Sequence, residues 1–341
     1  MSVDIPNYRV LEKLGVGAQS SIYRARCMTT GRDYAVKVVK IAKPEDFTVV
    51  ELLKAEYAIA SSINHPNIRK VFELRFLRQR LRVRGAILFM EYVAGRSMSD
   101  RDFRCSLDDM LHYFAEAAKG LHGMHLAGYV HADLKPNNIM ITAEGQVKLI
   151  DLGQSAKMRQ TKTRVQGTID YMAPEQVDNA VLDQRTDVFG LGATLHKMLT
   201  GKAIATGMNR TLTVYSQSLV GKRISDMPEA ATQDLPVVIS RLIEDCCRLN
   251  PAERIPDMPT LSDRLEFVRT ILKKRANEAE AGGAVAADRD MDHAGADPTG
   301  TRDDWEDLGD ADDDRLGSIH EELGLTDDPD QAMDADSSGA R

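Results

Sequence analysis

The spacing of hydrophobic residues predicts a small sheet in the first quarter of the chain. Apolar and polar residues alternate over 8–14, a glycine-rich turn precedes 21–27, and 34–41 is rich in β-branched residues. Two more strands are expected over 68–78 and 81–92. The pattern therefore indicates five strands that lie close together in the sequence.

Helical spacing interrupts this sheet once and dominates the chain after residue 106. Apolar positions in 45–63 recur every three or four residues, and Pro66 ends the helix that they predict. The other predicted helices cover 107–128, 186–200, 235–249 and 261–272, and a strand–turn–strand is expected over 139–150. The two parts together indicate an α+β fold.

The end of the chain has a different composition. The 341 residues are 43% hydrophobic, but 277–341 contain few large apolar side chains. This segment holds 21 acidic and four basic residues, a net charge of −17, whereas the whole chain carries −8 and residues 1–276 therefore +9. Because such a segment cannot bury enough apolar surface to fold alone, we expect an acidic, disordered tail.

Cysteine usage and hydropathy bear on the cellular setting. The four cysteines lack a paired metal-binding spacing and are expected to be reduced thiols. No apolar run approaches the roughly 20 residues that cross a bilayer, and residues 1–10 lack a signal-peptide core. We expect a soluble, cytoplasmic protein without a membrane span.

A glycine-rich turn between the first two strands could approach a phosphate group. Gly15 and Gly17 stand there, with Ser20 as a small residue further along the turn. Glycines let the backbone come close to a polyphosphate and offer N–H groups to it. Taken alone, such a turn is most often an ordinary hairpin.

Lys37 on the third strand has two interpretations. It could face solvent at an edge, or it could be buried, and a buried ammonium group needs a carboxylate partner. Glu56, in the first predicted helix, is the candidate for that partner because of its spacing to the helix end at Pro66. Glu51 is the alternative.

Residues 131–139, His-Ala-Asp-Leu-Lys-Pro-Asn-Asn-Ile, resemble the catalytic loop of protein kinases. In that family the Asp at the position of Asp133 receives the proton of the substrate hydroxyl. The Lys at that of Lys135 steadies the transferred phosphoryl group, and the Asn at that of Asn138 binds a metal ion. Asp151, in Asp-Leu-Gly, stands where the family has Asp-Phe-Gly and would bind Mg²⁺.

The resemblance covers about residues 8–277 and includes the other family motifs in order. Lys37 would bind the α- and β-phosphates of ATP and pair with Glu56. Residues 89–95 resemble the hinge, whose backbone binds adenine, with Met90 at the rear of the pocket. The nucleotide-binding residues that the resemblance implies are Gly15, Val16, Gly17, Ser20, Ile22, Ala35, Lys37, Glu91, Val93 and Met140.

The segment after Asp151 also resembles the family. Gly167 and Thr168 stand where the substrate is received, and Ala-Pro-Glu ends at Glu175, followed by a glutamine typical of bacterial members. Asp187 resembles the residue that braces the catalytic loop, and Arg254 the partner of Glu175.

The resemblance implies a two-lobed kinase fold and a protein serine/threonine kinase that uses ATP and Mg²⁺. The N-lobe would be 1–91, the C-lobe 92–276 and the acidic tail 277–341. Lys135 in Asp-Leu-Lys-Pro-Asn-Asn points to Ser and Thr hydroxyls of protein substrates. A pseudokinase scaffold and a small-molecule phosphotransferase are the alternatives; the presence of Lys37, Asp133, Asn138 and Asp151 disfavours the scaffold.

One letter departs from the family pattern. Ala132 replaces the Arg that in many regulated kinases binds a phosphate on the activation loop. Either this is tolerated drift, or activity does not depend on such a contact. Thr161 and Thr163 lie where activation-loop phosphates often sit.

The two charged regions of the chain suggest partners. A run of basic residues, Arg69, Lys70, Arg75, Arg78, Arg80, Arg82 and Arg84, follows the fourth and fifth predicted strands. Its usual interpretation is a solvated face, and we expect no nucleic acid because no aromatic stacking platform is interleaved. The acidic tail could instead contact this basic N-lobe surface or a basic partner.

Overall fold

The computed structural model describes residues 5–17, 19–41, 47–80, 82–161, 167–204 and 235–291. The chain divides into two units, Met1–Ala281 and Gly282–Arg341. Of the second unit, the described residues 282–291 are the end of a helix. Thr163 and most of the predicted acidic tail lie outside the described residues.

The five predicted strands form one antiparallel sheet in the order β1-β2-β3-β5-β4. They are β1 (Tyr8–Val16), β2 (Ser20–Cys27), β3 (Asp33–Lys40), β4 (Val71–Gln79) and β5 (Arg82–Glu91). Because side chains alternate across a strand, β3 sends Ala35 and Val39 to one face and Val36 and Val38 to the other. The first face packs on Leu53 of helix α1 (Phe47–Ser61).

The larger part of the first unit is mainly helical, as the apolar spacing predicted. Its helices are α2 (Leu107–Leu126), α3 (Pro174–Val177), α4 (Gln184–Thr200), α5 (Val237–Cys246) and α6 (Met258–Met291). Helix α2 begins at Ser106, whose side chain accepts the Asp109 backbone N–H at 3.0 Å, an N-cap. Its inward side chains, among them Phe114 and Leu121, join one core cluster with Leu191 of α4.

Short strands carry the loops of the site. A three-stranded sheet has the order β6-β8-β9, and two-stranded ladders join β7 to β10 and β11 to β12. These strands are β6 (Gly95–Ser97), β7 (Tyr129–Val130), β8 (Ile139–Thr142), β9 (Val147–Leu149), β10 (Ala156–Lys157), β11 (Gln160–Thr161) and β12 (Val181–Leu182).

Backbone hydrogen bonds join the sheet-rich part to the helical part at β9. The Leu149 N–H donates to Asn67 O at 2.7 Å, and the Arg69 N–H donates to Leu149 O at 3.0 Å. Since Asp151 follows Leu149 by two residues, this junction places it beside the sheet. The proposed boundary between the two lobes at 91/92 stays a prediction.

Four features of the structure bear on the expectations from the sequence. Helix α6 continues to Met291, beyond the position where the tail was expected to begin, in a stretch whose alanines favour a helix. Arg69 is buried, at 9% exposure, and so does not belong to a solvated basic face. All four cysteines are free thiols. No helix in the described ranges combines the length and apolarity needed to span a bilayer.

Candidate active site

The loop that carries Asp133 is fixed by a buried carboxylate below it. Asp187, at the start of α4, accepts the backbone N–H groups of His131 and Ala132, each at 2.8 Å. His125 Nε2 lies 2.8 Å from the same carboxylate. Burial opposes the charge on Asp187, but His125, His131 and the Ala132 N–H outweigh it, so its pKa is lowered. The ionised carboxylate therefore holds the loop backbone.

Ala132 adopts a left-handed backbone conformation, with φ of 59°. This conformation costs a non-glycine residue about 1–2 kcal/mol, so it persists where neighbouring groups fix it. The side chain is buried in a small apolar cluster with Val130 and Leu182.

The Asp133 carboxylate lies at the centre of a polar network. Lys135 Nζ donates to its Oδ2 at 2.7 Å, and the backbone N–H and hydroxyl of Thr168 donate to its Oδ1 at 3.0 and 2.9 Å. Lys135 Nζ also donates to Thr168 Oγ1 at 2.9 Å. The Asn138 amide nitrogen donates to Asp133 O at 2.8 Å. Asp133 thus joins the catalytic loop to the segment that begins at Thr168.

Lys37 faces inward from the sheet and pairs with Glu56. Its Nζ lies 2.7 Å from Glu56 Oε2 and 3.5 Å from Asp151 Oδ1. Glu51, the alternative partner, instead forms an exposed pair with Lys54 at 2.8 Å. Burial lowers the pKa of Lys37, but Glu56 and Asp151 raise it by more, so the ammonium form is favoured.

Asp151 and Asn138 are the residues that could hold a divalent cation. Partial burial raises the pKa of Asp151, but Lys37 and Arg69 lower it by more, so the carboxylate is ionised. The Ile150 N–H donates to Asn138 O at 2.9 Å, which holds Asp151, the next residue, near Asn138. Both offer hard oxygen atoms of the kind that Mg²⁺ prefers.

The described residues contain no group of three or more His, Cys, Asp or Glu side chains that could form a metal site. A pair of protein ligands suits Mg²⁺, because this ion keeps waters and takes phosphate oxygens as its remaining ligands. The donor set therefore fits a cation that arrives with a nucleotide.

The glycine-rich turn is aligned with Lys37 by the register of the sheet. Gly15 is paired with Ile22 across β1 and β2, and Ile22 is paired with Lys37 across β2 and β3. A Cβ on Gly17 would lie 2.7 Å from Ser20 Oγ, so any other residue there would force the Ser20 side chain to turn away. Val16 at the turn is 73% exposed.

The residues expected around adenine lie on β3, at the end of β5, shortly after β5 and on β8. Ala35 is buried and paired with Met90 across β3 and β5, and Val93 is 8% exposed. Met140 lies half-buried on β8. Glu91 makes a 3.0 Å ion pair with Lys148 of β9.

A second buried ion pair supports the segment after Thr168. Arg254 donates two hydrogen bonds to Glu175, at 2.7 and 2.8 Å, and Thr186 Oγ1 donates to the same carboxylate at 2.9 Å. The Arg254 side chain is fully buried. This bidentate geometry is the strongest form of an arginine–carboxylate contact.

Three contacts near the site were not foreseen from the sequence. Thr168 binds Asp133 directly, Arg69 is buried near Glu56 and Asp151, and the Gln176 side chain donates to Ala132 O at 2.9 Å. Each joins residues that are far apart in the sequence. The position of Thr168 within the substrate-receiving segment could have indicated its contact with Asp133. Nothing in the sequence indicated the burial of Arg69 or the bond from Gln176 to Ala132.

Comparison with known proteins gives one family and several relatives whose names identify them as protein kinases. The family model for the protein kinase domain matches residues 8–264. A probable serine/threonine-protein kinase of Clostridium acetobutylicum is 28% identical over 277 residues, covering 77% of this chain and 40% of the relative. The serine/threonine-protein kinase PknA of Mycobacterium tuberculosis is 33% identical over 270 residues, covering 77% of this chain and 61% of the relative.

The relatives are not uniform in the hydroxyl that their names indicate. The tyrosine-protein kinase MasK of Myxococcus xanthus is 31% identical over 284 residues, covering 76% of this chain and 42% of the relative. The chain thus spans between 40% and 61% of the length of these curated relatives. These likenesses concern the portion that carries the site just described.

Proposed function

The chain belongs to the protein kinase domain family, and from this premise we propose that it transfers the γ-phosphoryl group of Mg-ATP to Ser or Thr hydroxyls of protein substrates. One observation carries the proposal. Lys37 contacts Asp151, and Ile150, the residue before Asp151, donates its N–H to Asn138 O. Asn138 in turn donates to Asp133, which accepts the Thr168 hydroxyl. The groups that a phosphoryl transfer needs are therefore adjacent.

The proposed roles follow from the chemistry of each group. Lys37, held by Glu56, would neutralise charge on the α- and β-phosphates. Asp133 would orient the substrate hydroxyl and accept its proton, and Lys135 would offset charge on the transferred group. Because little covalent chemistry is left to the protein, positioning of these groups would supply most of the rate.

Two residues would hold the cation. Asp151 and Asn138 are the proposed ligands, and Mg²⁺ would offset charge on the β- and γ-phosphates when bound. The glycine-rich turn, with Gly15, Gly17 and Ser20, would close over the phosphates. Val16, Ile22, Ala35, Glu91, Val93 and Met140 are the residues proposed to line the rest of the nucleotide site.

The preference for Ser and Thr rests on Lys135 and Thr168. Both donate to the carboxylate of Asp133, so polar groups flank the atom that would receive the substrate hydroxyl. The hydroxyl of a tyrosine lies further from its own backbone than that of a serine or threonine. A tyrosine substrate would therefore have to bind with its backbone further from Asp133. Phosphoamino acid analysis of the products tests this point, and a yield dominated by phosphotyrosine would contradict it.

An assay with labelled ATP tests the proposed transfer. The purified full chain is incubated with Mg²⁺ and a generic basic protein, beside Asp151→Asn and the matched control Asp102→Asn, whose site is exposed. We expect label in the substrate for the wild type and the control, and a loss of about 10²–10³-fold for Asp151→Asn. Equal, background-level label in all three proteins would favour the pseudokinase scaffold.

We further propose that activity does not depend on a phosphate bound beside Ala132. Ala132 offers no charge, and its neighbours Val130 and Leu182 are apolar. The opposite result, a requirement for phosphate on the activation loop, would show as inactivity of enzyme treated with phosphatase. Such enzyme is expected to keep its rate within about ten-fold, or 1.4 kcal/mol.

The proposals on the acidic tail and on location rest on the sequence alone. From charge complementarity, we propose that 277–341 binds the basic N-lobe strands or a basic partner. A chain that ends near residue 277 should then differ from the full chain in the salt dependence of its activity. Identical salt profiles would contradict binding within one chain. The cytoplasmic location stays a prediction.

A further inference from the structure

Gln176 bridges the catalytic loop and the segment that follows Thr168. The side chain is 6% exposed and lies in α3, directly after Glu175. Its Nε2 donates to Ala132 O at 2.9 Å, and its Oε1 accepts the Ala173 backbone N–H at 3.1 Å. Because one partner is an acceptor and the other a donor, only this orientation of the amide satisfies both.

The bond to Ala132 completes the support of the peptide that precedes Asp133. The Ala132 N–H donates to Asp187, and the Asp133 N–H donates to His131 Nδ1 at 3.3 Å. Gln176 holds the third polar group of this stretch, the Ala132 carbonyl. Of these three supporting residues, Asp187, His131 and Gln176, it is Gln176 that belongs to the segment after Thr168.

The start of the same segment packs against the same carbonyl. Gly167 has φ of 138°, and a Cβ there would lie 3.3 Å from Ala132 O and 3.6 Å from Gln176 Nε2. Thr168 then binds the Asp133 carboxylate. The segment therefore contacts the catalytic loop at the carboxylate through Thr168 and at the backbone through Gln176.

We propose that Gln176 is a positioning residue that holds the segment after Thr168 on the catalytic loop. A contact between a phosphate and an arginine cannot perform this task here, because residue 132 is an alanine. The inference rests on the proposed phosphotransferase function. Helix capping explains the bond from Gln176 Oε1 to the Ala173 N–H, as in a capping box. Capping does not require the donation from Nε2 to Ala132, which is the contact that matters here.

The variant Gln176→Glu separates these two bonds. Glutamate keeps an acceptor for the Ala173 N–H, but its carboxylate cannot donate to Ala132 O. We expect kcat to fall about ten-fold at about pH 8, because small displacements of reacting groups are costly, with KM for ATP little changed. Gln176→Ala, which loses both bonds, should lose at least as much.

The pH profile distinguishes positioning from general destabilisation. A buried carboxyl facing a carbonyl oxygen titrates above its usual range, and the protonated acid can donate to Ala132 O. The deficit of Gln176→Glu, relative to wild type at the same pH, should therefore shrink between about pH 8 and pH 6, whereas that of Gln176→Ala should not. The nearby titratable groups, His131, Asp133, Glu175 and Asp187, are present in all three proteins, and a pH dependence that all three share is not assigned to residue 176.

A control and a readout independent of activity complete the test. Gln146→Glu adds the same charge at an exposed position and should match wild type. Hydrogen–deuterium exchange of peptides covering 131–133 and 167–177 should quicken in both Gln176 variants. If Gln176→Glu keeps wild-type kcat and exchange while Gln176→Ala does not, Gln176 is only a helix cap. If wild type transfers no phosphate above Asp151→Asn, the proposed function fails. Unchanged exchange in Gln176→Glu would separately refute the positioning role of Gln176.

Discussion

Two buried acid–base pairs in this molecule have the same charges and very different surroundings. Lys37 reaches Glu56 through one bond of 2.7 Å, keeps 15% of its side chain exposed, and lies 3.5 Å from Asp151. Arg254 reaches Glu175 through two bonds and is fully buried. Its remaining donors bind the backbone carbonyls of Arg185, Arg248 and Leu249.

The difference separates a pair that can still take a ligand from a pair that is saturated. An ammonium group has three donors, and the described contacts of Lys37 account for two of them. The guanidinium of Arg254 has five donors in a fixed planar arrangement, which its partners fill. We infer that the Lys37–Glu56 pair serves the phosphate site, whereas the Arg254–Glu175 pair serves the stability of the segment that ends at Glu175.

The largest effect is expected from Arg254→Ala. It would leave Glu175 as an uncompensated buried charge, and breaking such a pair costs about 3–5 kcal/mol of unfolding free energy. Thermal unfolding should show a decrease of about 10 °C in Tm. The double variant Arg254→Met/Glu175→Leu, which removes both charges, should recover part of it. A decrease below about 3 °C for Arg254→Ala would mean that the pair is not saturated in the way described.

Lys37→Met should act on rate more than on stability. Loss of the ammonium group removes charge neutralisation from the phosphates, so we expect kcat to fall about 10²–10³-fold, or roughly 3–4 kcal/mol of transition-state stabilisation. Glu56 stays buried, but the positive charge of the nearby Arg69 still offsets its own, so Tm should fall less than for Arg254→Ala. Lys54→Met, which breaks the exposed pair with Glu51, is the matched control. Equal Tm losses for Lys37→Met and Arg254→Ala would remove the distinction between the pairs.

The two pairs also show how far sequence reasoning reaches. The choice of Glu56 over Glu51 followed from its spacing to the helix end at Pro66. The pairing of Arg254 with Glu175 came only from the family resemblance. The burial of Arg69 and the bond from Gln176 to Ala132 could not be predicted, since neither periodicity nor spacing encodes contacts between distant loops. The elements came from local patterns, and the details of the site from tertiary packing.

Thr186→Val gives a smaller effect that tests the saturation of the second pair. Valine keeps the shape of the side chain but removes the hydroxyl that donates to Glu175 Oε1 at 2.9 Å. Loss of a hydrogen bond to a charged group costs about 1.5–3 kcal/mol, which corresponds to several degrees in Tm, with kcat little changed. Thr270→Val, at an exposed position of α6, is the matched control. A loss of kcat without a change in Tm would assign Thr186 to the reaction rather than to the pair.

The smallest effect is expected at the activation segment. Its end, Glu175, is already held by Arg254. Thr161 is exposed on β11, where it is paired with Val181 of β12, and Ala132 offers no charge to a phosphate on Thr161 or Thr163. The double variant Thr161→Ala/Thr163→Ala should therefore keep its rate within about ten-fold of wild type. The measurement is kcat with a protein substrate, with phosphorylation of both proteins followed by mass spectrometry. A larger loss would show that phosphate acts on this segment through a group other than residue 132, and that Glu175 and Arg254 do not suffice to hold it.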